Sequence, residues 1–562
     1  MRIAFCLGLL AVQGCGSDGG AGNDLAVPPD LSSVGPTALI NAAPDLVGFD
    51  TVLDGSQSAD SLGRALSYKW HLVSAPAGSA ITDAALSSTS AVKITFAPDL
   101  GGDYQIALEV STTDGAGGAA STQAKVTVPT LPLFFHQGTF TASGMSASVG
   151  VLRSDGSGQR LLSCPVSPDG GASELGWAFN SMFSVSTWQP PPGSAQKALF
   201  AFPEIVPLGG GVNDNQLLVA DETSNCATQA PPRIDQSSDA FYSTHAHLWP
   251  RFSPDGSRVM WVDNPQSPGF SRLVTVNVGG SNLRVIRSTS ADLSSAPPVW
   301  VDDTHVAWVE ETGTAMAPKP IIYQSSDLSM AGDSSTAPGD RAALIDCTGV
   351  LTVVNQFAIL TKGGTTALIV AGGSKKKANG GALNLYRMAN GNCSQVTVLA
   401  GEPAGGDAGD FALSPDQSTI VISTTHGQGI PDGGPTPQHD LFTLPSDGSS
   451  APVFFAGDPL VDDLGPHWLA NGRQLFWTQA GAGVSGSGVR GAGLVIANAD
   501  GTHQRSLYAE RSSGGVDTIV LGGSNSGISC AYGGALTGGA GTLLLLLAGL
   551  FAIWYARRSR GI

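Results

Sequence analysis

The stretch PRFSPDGSRVMWVD, Pro250 to Asp263, restricts the fold more than any other feature of the chain. An aromatic residue precedes a Ser-Pro-Asp-Gly turn, and apolar residues then fall at alternate positions. Asp-Gly between two alternating runs predicts a hairpin, because glycine accepts the positive φ that tight hairpin turns need. The pattern recurs in DFALSPDQSTIVISTT (410–425) and GPHWLANGRQLFWTQ (465–479). PVWVDDTHVAWVEE (298–311) is a degenerate copy, and VNQFAILTKGGTTALIVAG (354–372) keeps two strands and a Gly-Gly turn. A second kind of hairpin follows each, as in RLVTVNVGGSNLRVI (272–286), DLFTLPSDGSSAPVFF and GLVIANADGTHQRSLY. Further copies are VGVLRSDGSGQRLL (149–162), NQLLVADETSNCATQ (215–229) and a weaker one from PIIYQSSDLS (320–329). A four-stranded unit cannot bury both of its faces alone, so such units must pack on one another.

A repeated four-stranded unit predicts a β-propeller. The sequence resembles the TolB-like, WD-like propeller repeats, best over Pro250 to Ser288 and well over Asp410 to Tyr508, and poorly around 179–202 and 320–350. The propeller is expected over 130–515, with seven blades, six and eight remaining open. PLFFHQGTF (132–140) is expected in the first blade, with VDTIVLGG (516–523) returning beside it and a Gly-rich linker running on to 535. Closure of that kind removes exposed sheet edges. Phe252, Val259 and Trp261 are expected between blades.

Residues 36–129 show short alternating strands and regular turns, the pattern of a β-sandwich. They resemble the PKD family of Ig-like domains from Pro36 to Val128. The resemblance rests on Leu53-Asp54-Gly55-Ser56-Gln57-Ser58 with Asp60, on Tyr68-Lys69-Trp70, on Phe96-Ala97-Pro98-Asp99 with Gly102 and Tyr104, and on Asp114-Gly115. It implies a spacer or adhesion module without catalysis. Some relatives bind calcium, which would fall to Asp54, Asp60 and Asp114; the competing reading of these carboxylates is turn capping. No other cofactor is expected.

The two ends predict export. Residues 1–15 carry Arg2, then an apolar run too short to span a bilayer, the shape of a signal peptide. Val12-Gln13-Gly14-Cys15 resembles a bacterial lipobox and marks Cys15 for lipidation, with Gln13 larger than is usual there; ordinary cleavage nearby is the alternative. Residues 16–35, rich in Gly, Asp, Pro and Ser, read as a tether. At the other end, 536–556 has the length and hydropathy of a membrane helix, and 557–562 is a basic tail expected in the cytoplasm. Cys530, the apolar run and Arg557, Arg558 and Arg560 resemble the MYXO-CTERM sorting signals of myxobacteria. In that family the Cys is the processing point; a plain anchor helix is the alternative. Setting aside Cys6, Cys15 and Cys530, four of the seven cysteines remain: Cys164, Cys226, Cys347 and Cys393. An even number in an exported chain suggests two disulfides, with nearest neighbours paired among three possible connectivities.

The net charge of −17 disfavours nucleic acid as a partner, because phosphate contacts need Lys and Arg. Lys375-Lys376-Lys377, between GGS and ANGG, reads as a solvated loop tip. Propellers of the prolyl oligopeptidase type accompany a hydrolase domain, but no Gly-x-Ser-x-Gly elbow and no α/β-hydrolase pattern occur here. His-Glu-x-x-His and phosphate-binding Gly loops are also absent. His245-Ala246-His247 would place two imidazoles on one face of a strand where they could grip a metal, with no third ligand evident beyond the candidate Asp239; the favoured reading is a polar strand edge entering a blade. His305, His426, His439, His467 and His503 are scattered, and a propeller can gather such residues at its central channel. With no catalytic motif, the chain is expected to be a non-enzymatic, envelope-anchored protein on the cell surface. It would bind an envelope or extracellular protein, peptide or glycan. The alternative is an exported hydrolase or lyase acting at the propeller mouth.

Overall fold

The computed structural model describes residues 35–141 and, in shorter stretches, residues 144–522. It is all-β apart from a single 3-10 turn, Asp83–Ala85, and divides into two compact units, Met1–Val128 and Pro129–Ile562.

In the first unit, two three-stranded antiparallel sheets enclose one core. One sheet joins Asn41–Ala43, Thr51–Asp54 and Lys93–Phe96; the other joins Leu66–Ser74, Gly102–Thr112 and Ala119–Val128. Strand alternation sends Leu53, Ile94 and Phe96 from the first sheet, and Trp70, Tyr104, Ile106 and Leu108 from the second, into the same apolar layer. Trp70 buries its ring and donates its indole N–H to the Ala91 carbonyl at 2.8 Å. Tyr104 stacks obliquely on Phe96, 5.3 Å between centroids, and its hydroxyl donates to the Asp99 carboxylate at 3.0 Å. Both polar atoms of these large side chains are thus satisfied, as burial requires.

Among the described residues, the second unit contains seven successive antiparallel sheets. Sheet 1 holds Pro132–Thr141, Gly144–Arg153 and Arg160–Leu161. Asp517–Gly522 adds to its free edge, with Asp517 opposite Phe140 and Gly522 opposite Phe135. Sheet 2 has three strands among the described residues: Ser186–Trp188, Leu199–Gly209 and Val212–Asp221. Sheets 3 to 7 each have four strands in sequence order, beginning respectively with His245–Phe252, Val299–Trp300, Val353–Leu360, Ala408–Leu413 and Val461–Trp468. These first strands are called inner strands below. This is the β-propeller arrangement of sheets, in agreement with the repeated hairpins.

Apolar clusters lie between successive sheets. Alternation along one strand feeds two of them: Val259 and Trp261 pack toward sheet 2, whereas Met260 and Val262 pack toward sheet 4. Phe252, Val259 and Trp261 therefore sit between sheets as expected. Phe134 likewise packs on sheet 2, while its neighbours Leu133 and Phe135 join Phe476, Leu494 and Ile496 of sheet 7.

Several expectations fall outside the described residues: the signal segment with Cys15, the cysteines Cys164, Cys226, Cys347 and Cys393, Lys375–Lys377, and Cys530 with the 536–556 helix and Arg557, Arg558 and Arg560. Among the described residues, no helix is long and apolar enough to cross a membrane.

Candidate functional site on the inner strands

The inner strands of sheets 3 and 7 carry the same irregularity. Pairing slips between Leu248 and Arg251 in one, and between Leu464 and His467 in the other. The sequences are Leu-Trp-Pro-Arg and Leu-Gly-Pro-His. A bulge forms at each, with Trp249 at φ 50° and Gly465 at φ 56°; the inner strand of sheet 6 slips in the same way between Ala408 and Phe411, without a proline. Bulges re-aim the side chains that follow. Here those side chains are Arg251, opposite Met260, and His467, opposite Phe476. Each stands two residues before its hairpin turn.

Both are buried, at 4% and 5% exposure. They belong to sheets that are not neighbours, yet the Arg251 charge acts on His467. Burial, reinforced by that charge, lowers the His467 imidazole to about 3, so it is neutral at physiological pH. Its ring lies 5.0 Å from that of Phe476, and its Nε2 has no hydrogen-bond partner among the described residues. Burial lowers Arg251 to about 9, which leaves it a cation at neutral pH. Its Nη1 donates to the Pro250 carbonyl at 2.8 Å, and its own carbonyl accepts the Trp300 indole N–H at 3.0 Å. Trp468 makes the corresponding bond to Ala412, at 3.3 Å. These two indole bonds tie the sheet 4 inner strand to that of sheet 3 and the sheet 7 inner strand to that of sheet 6.

A second buried polar group lies nearer the start of the sheet 3 inner strand. His247 Nε2 is 2.9 Å from Asp235, and Nδ1 is 3.4 Å from Asp263, its cross-strand neighbour. Asp235 also takes the Arg233 guanidinium through Nε at 2.7 Å and Nη2 at 3.2 Å. Burial opposes the charged imidazole, but the hydrogen bonds and charges of the two carboxylates outweigh it and raise His247 to about 9. The group is an imidazolium clamped between anions. Asp463 takes the corresponding place in sheet 7, where Trp477 Nε1 and Gln479 Nε2 donate to it at 2.6 and 2.9 Å. These contacts pin side chains to their sheets.

Of the residues considered for a metal site, only the His247 side chain is described. Asp239 and the side chain of His245 lie outside the described residues. His247 has both ring nitrogens facing carboxylates, Asp235 and Asp263. No group of three or more His, Cys, Asp or Glu able to hold a metal occurs among the described residues. Of the scattered histidines, His305 bonds Asp302 in its own turn at 2.9 Å, and His503 lies exposed in a turn beside Asn498. His439 begins a strand opposite Thr425, and His426 is outside the described residues. Of the four that are described, only His467 is buried.

Turn capping accounts for the carboxylates weighed for calcium. Asp60 accepts from Arg64 Nε and Nη2 at 3.0 and 2.8 Å and from the Leu62 and Arg64 backbones; the Arg64 hydrogen bond leads in lowering it to about 2. Asp54 caps Ser56 at 2.9 Å and Asp114 caps Ala116 at 3.0 Å. Arg251 carried no role in the sequence reading. Its signal was a charged residue at an inner-strand place that sheet 6 fills with Ala412.

Residues 47–128 match the K319L-like, PKD domain family. No curated protein sequence matches the chain. Among solved structures it is similar to a puromycin-hydrolyzing peptidase from Mycobacterium tuberculosis, 13% identical over 68% of this chain and 52% of that one, TM-score 0.44. It is also similar to an oligogalacturonate lyase from Vibrio parahaemolyticus, 12% identical over 59% and 86% of the two chains, TM-score 0.38. TolB from Acinetobacter baumannii is 16% identical over 70% and 83%, TM-score 0.35. The chain spans about half the length of the puromycin-hydrolyzing peptidases it resembles. The expectation of a non-enzymatic binding or scaffold protein is corrected here: the similar solved structures include peptidases and lyases, on the side of the alternative reading.

Proposed function

We propose that the chain is an exported hydrolase or lyase, acting on a peptide or glycan at the inner strands of a closed seven-bladed propeller. One observation carries this reading: an imidazole, His467, buried on an inner strand with an Nε2 that has no hydrogen-bond partner among the described residues and held neutral by burial and by the Arg251 charge. A neutral ring nitrogen accepts a proton, and a guanidinium stabilises the negative charge that develops on a reacting oxygen. Negative charge developing beside Arg251 offsets its repulsion and makes the imidazole a better base as the reaction proceeds. Closure of the ring is supported by the pairing of Asp517–Gly522 with the first sheet and by the apolar cluster shared by sheets 7 and 1. Export is supported by the signal-like residues 1–15 and by the PKD-domain match. In this reading Cys15, or Cys530 with the segment ending in Arg557, Arg558 and Arg560, anchors the chain at the envelope.

The test is turnover by the full chain on a panel of peptides, esters and uronic-acid oligosaccharides. His467→Gln should lower the rate on any active substrate by about 100-fold or more, with an unchanged melting temperature. Turnover by that variant at the rate of the unaltered protein would overturn the assignment, as would inactivity of the unaltered protein across the whole panel.

A further inference from the structure

We propose that the outer strand of sheet 6, Val453–Ala456, is a docking edge for an extended, uncharged segment of a peptide substrate. The proposal rests on the reading above for the claim that the bound peptide is turned over, and it narrows peptide or glycan to peptide.

The strand is the last of its sheet and is paired on one side, with Thr443 opposite Val453 and Phe442 opposite Phe454. Among the described residues, no backbone hydrogen bond reaches its other side. Val453 and Phe454 are 62% and 56% exposed, and among the described residues of the second unit no other large apolar side chain is exposed. From Gly448 to Gly457 the sequence carries no charge, in a chain of net charge −17.

Outer strands of other sheets are closed by arginine. In sheet 1, Arg160 donates to the Glu222 carbonyl beside sheet 2. The outer strand of sheet 3, Arg284–Thr289, reaches sheet 4 twice: Arg284 donates to the Leu328 carbonyl at 2.7 Å, and Arg287 to both oxygens of Glu310 at 2.8 and 3.2 Å. That of sheet 7, Arg505–Ala509, sends Arg505 to the Ser154 carbonyl beside sheet 1 at 2.6 Å. Such a residue ties its strand to the next sheet and places a charge at the edge, which opposes pairing with a further strand. In sheet 6 an aromatic ring makes the tie instead: Phe455 meets Trp477 of sheet 7 edge to face, 5.9 Å between centroids. The strand is held without a charge. Phe454 is braced by Phe442 at 5.8 Å, also edge to face, so its open ring is positioned before anything binds.

These features select the occupant. An edge of unpaired main chain flanked by apolar side chains recognises another extended main chain, and a sugar has none to offer. A neutral strip in an acidic protein suits a neutral segment, which brings no charge to be desolvated. A second copy of the chain is disfavoured by area, because a stable interface buries about 800 Å² on each partner, and two side chains fall well short of that.

The probe is a fluorescent peptide, Thr-Val-Thr-Phe-Thr-Val-Thr, blocked at both ends, with a copy N-methylated at every amide. The copy keeps the side chains and has no N–H to donate. Anisotropy is titrated with the full chain, and deuterium exchange is followed at residues 453–456. Saturable binding of the unmethylated peptide is expected, with slower exchange on that strand. The methylated copy should bind about 10-fold more weakly or worse, as should the unmethylated peptide to Phe454→Lys. Should that variant fail to fold, the comparison of the two peptides on the unaltered protein still decides. Absence of saturable binding, equal binding of the two peptides, or undiminished binding to a folded Phe454→Lys overturns the proposal. Self-association that Phe454→Lys abolishes, without peptide binding, also overturns it and gives the edge to a second copy. Peptide binding without turnover on any substrate would leave the docking edge standing and remove the catalytic reading. Turnover without binding at this strand would do the reverse.

Discussion

Gly256 has φ 71°, and a Cβ added there would lie 2.4 Å from the Trp188 ring. That ring cannot easily yield, because its indole N–H is bonded to the Pro254 carbonyl at 2.9 Å. Gly256→Ala should therefore cost the left-handed penalty of about 1–2 kcal/mol and a further overpacking cost of about 1–3 kcal/mol. A clear fall in the denaturant midpoint with an unchanged slope would confirm it; a midpoint equal to that of the unaltered protein would refute it. His247 makes a prediction in pH. Its imidazole titrates near 9 when folded, against 6.5 for a free imidazole. The stability it contributes is fully present below pH 6.5 and is lost as pH rises through 9, an effect on the order of 3 kcal/mol. Asp235 is shifted down, the hydrogen bonds and charges of His247 and Arg233 overcoming burial, so its contribution is lost only in acid. Unfolding free energy should fall between pH 7 and 9.5 in the unaltered protein, and much less in His247→Gln. Equal pH profiles for the two would show that His247 is not the titrating group.

The hairpins were legible because their chemistry lies in consecutive residues. Ser253 Oγ donates to Asp255 at 2.6 Å, and Asp255 accepts the Ser257 N–H at 3.0 Å. Ser414, Asp416 and Ser418 repeat this at 2.6 and 3.1 Å. The bulges were less visible: Trp249-Pro250 and Gly465-Pro466 are readable only once the two inner strands are aligned on their turns. The burial of Arg251 and His467 was not readable. Hairpin chemistry does not encode which side chains distant sheets enclose, so His467 stood among scattered histidines and Arg251 had no role. His247 was noticed through its spacing from His245, but its partners come from the preceding segment and the paired strand. The strand Asp517–Gly522 lies far from its sheet in sequence and completes the hydrogen bonding of Pro132–Thr141. A chain ended at Gly515 leaves that edge open, whereas a chain ended at Ser524 keeps it paired. The shorter form should melt several degrees lower and self-associate through the exposed edge. Identical melting curves and light scattering for the two would show that the strand contributes nothing to the fold.

The two units have separate cores, so they should respond separately to a change in one of them. The first buries Trp70, Tyr104, Phe96 and Ile106 without any residue from the second unit in the same cluster. The second draws on apolar clusters between successive sheets, in which each strand feeds two interfaces by alternation. Loss of one methylene from the first core should therefore leave the propeller unit unaffected. Ile106 is fully buried, and Ile106→Val should cost about 1 kcal/mol. In a unit of this size that is a fall of about 4–8 °C in its own transition. Calorimetry of the full chain should show two transitions, with only one displaced in the variant. A single transition that moves as a whole would mean that the units unfold as one body, and an effect on the second transition alone would assign the two peaks the other way. Val259→Ala supplies the reciprocal case, since Val259 packs between sheets 2 and 3. It should displace the transition that Ile106→Val leaves in place, and turnover should disappear with that transition only.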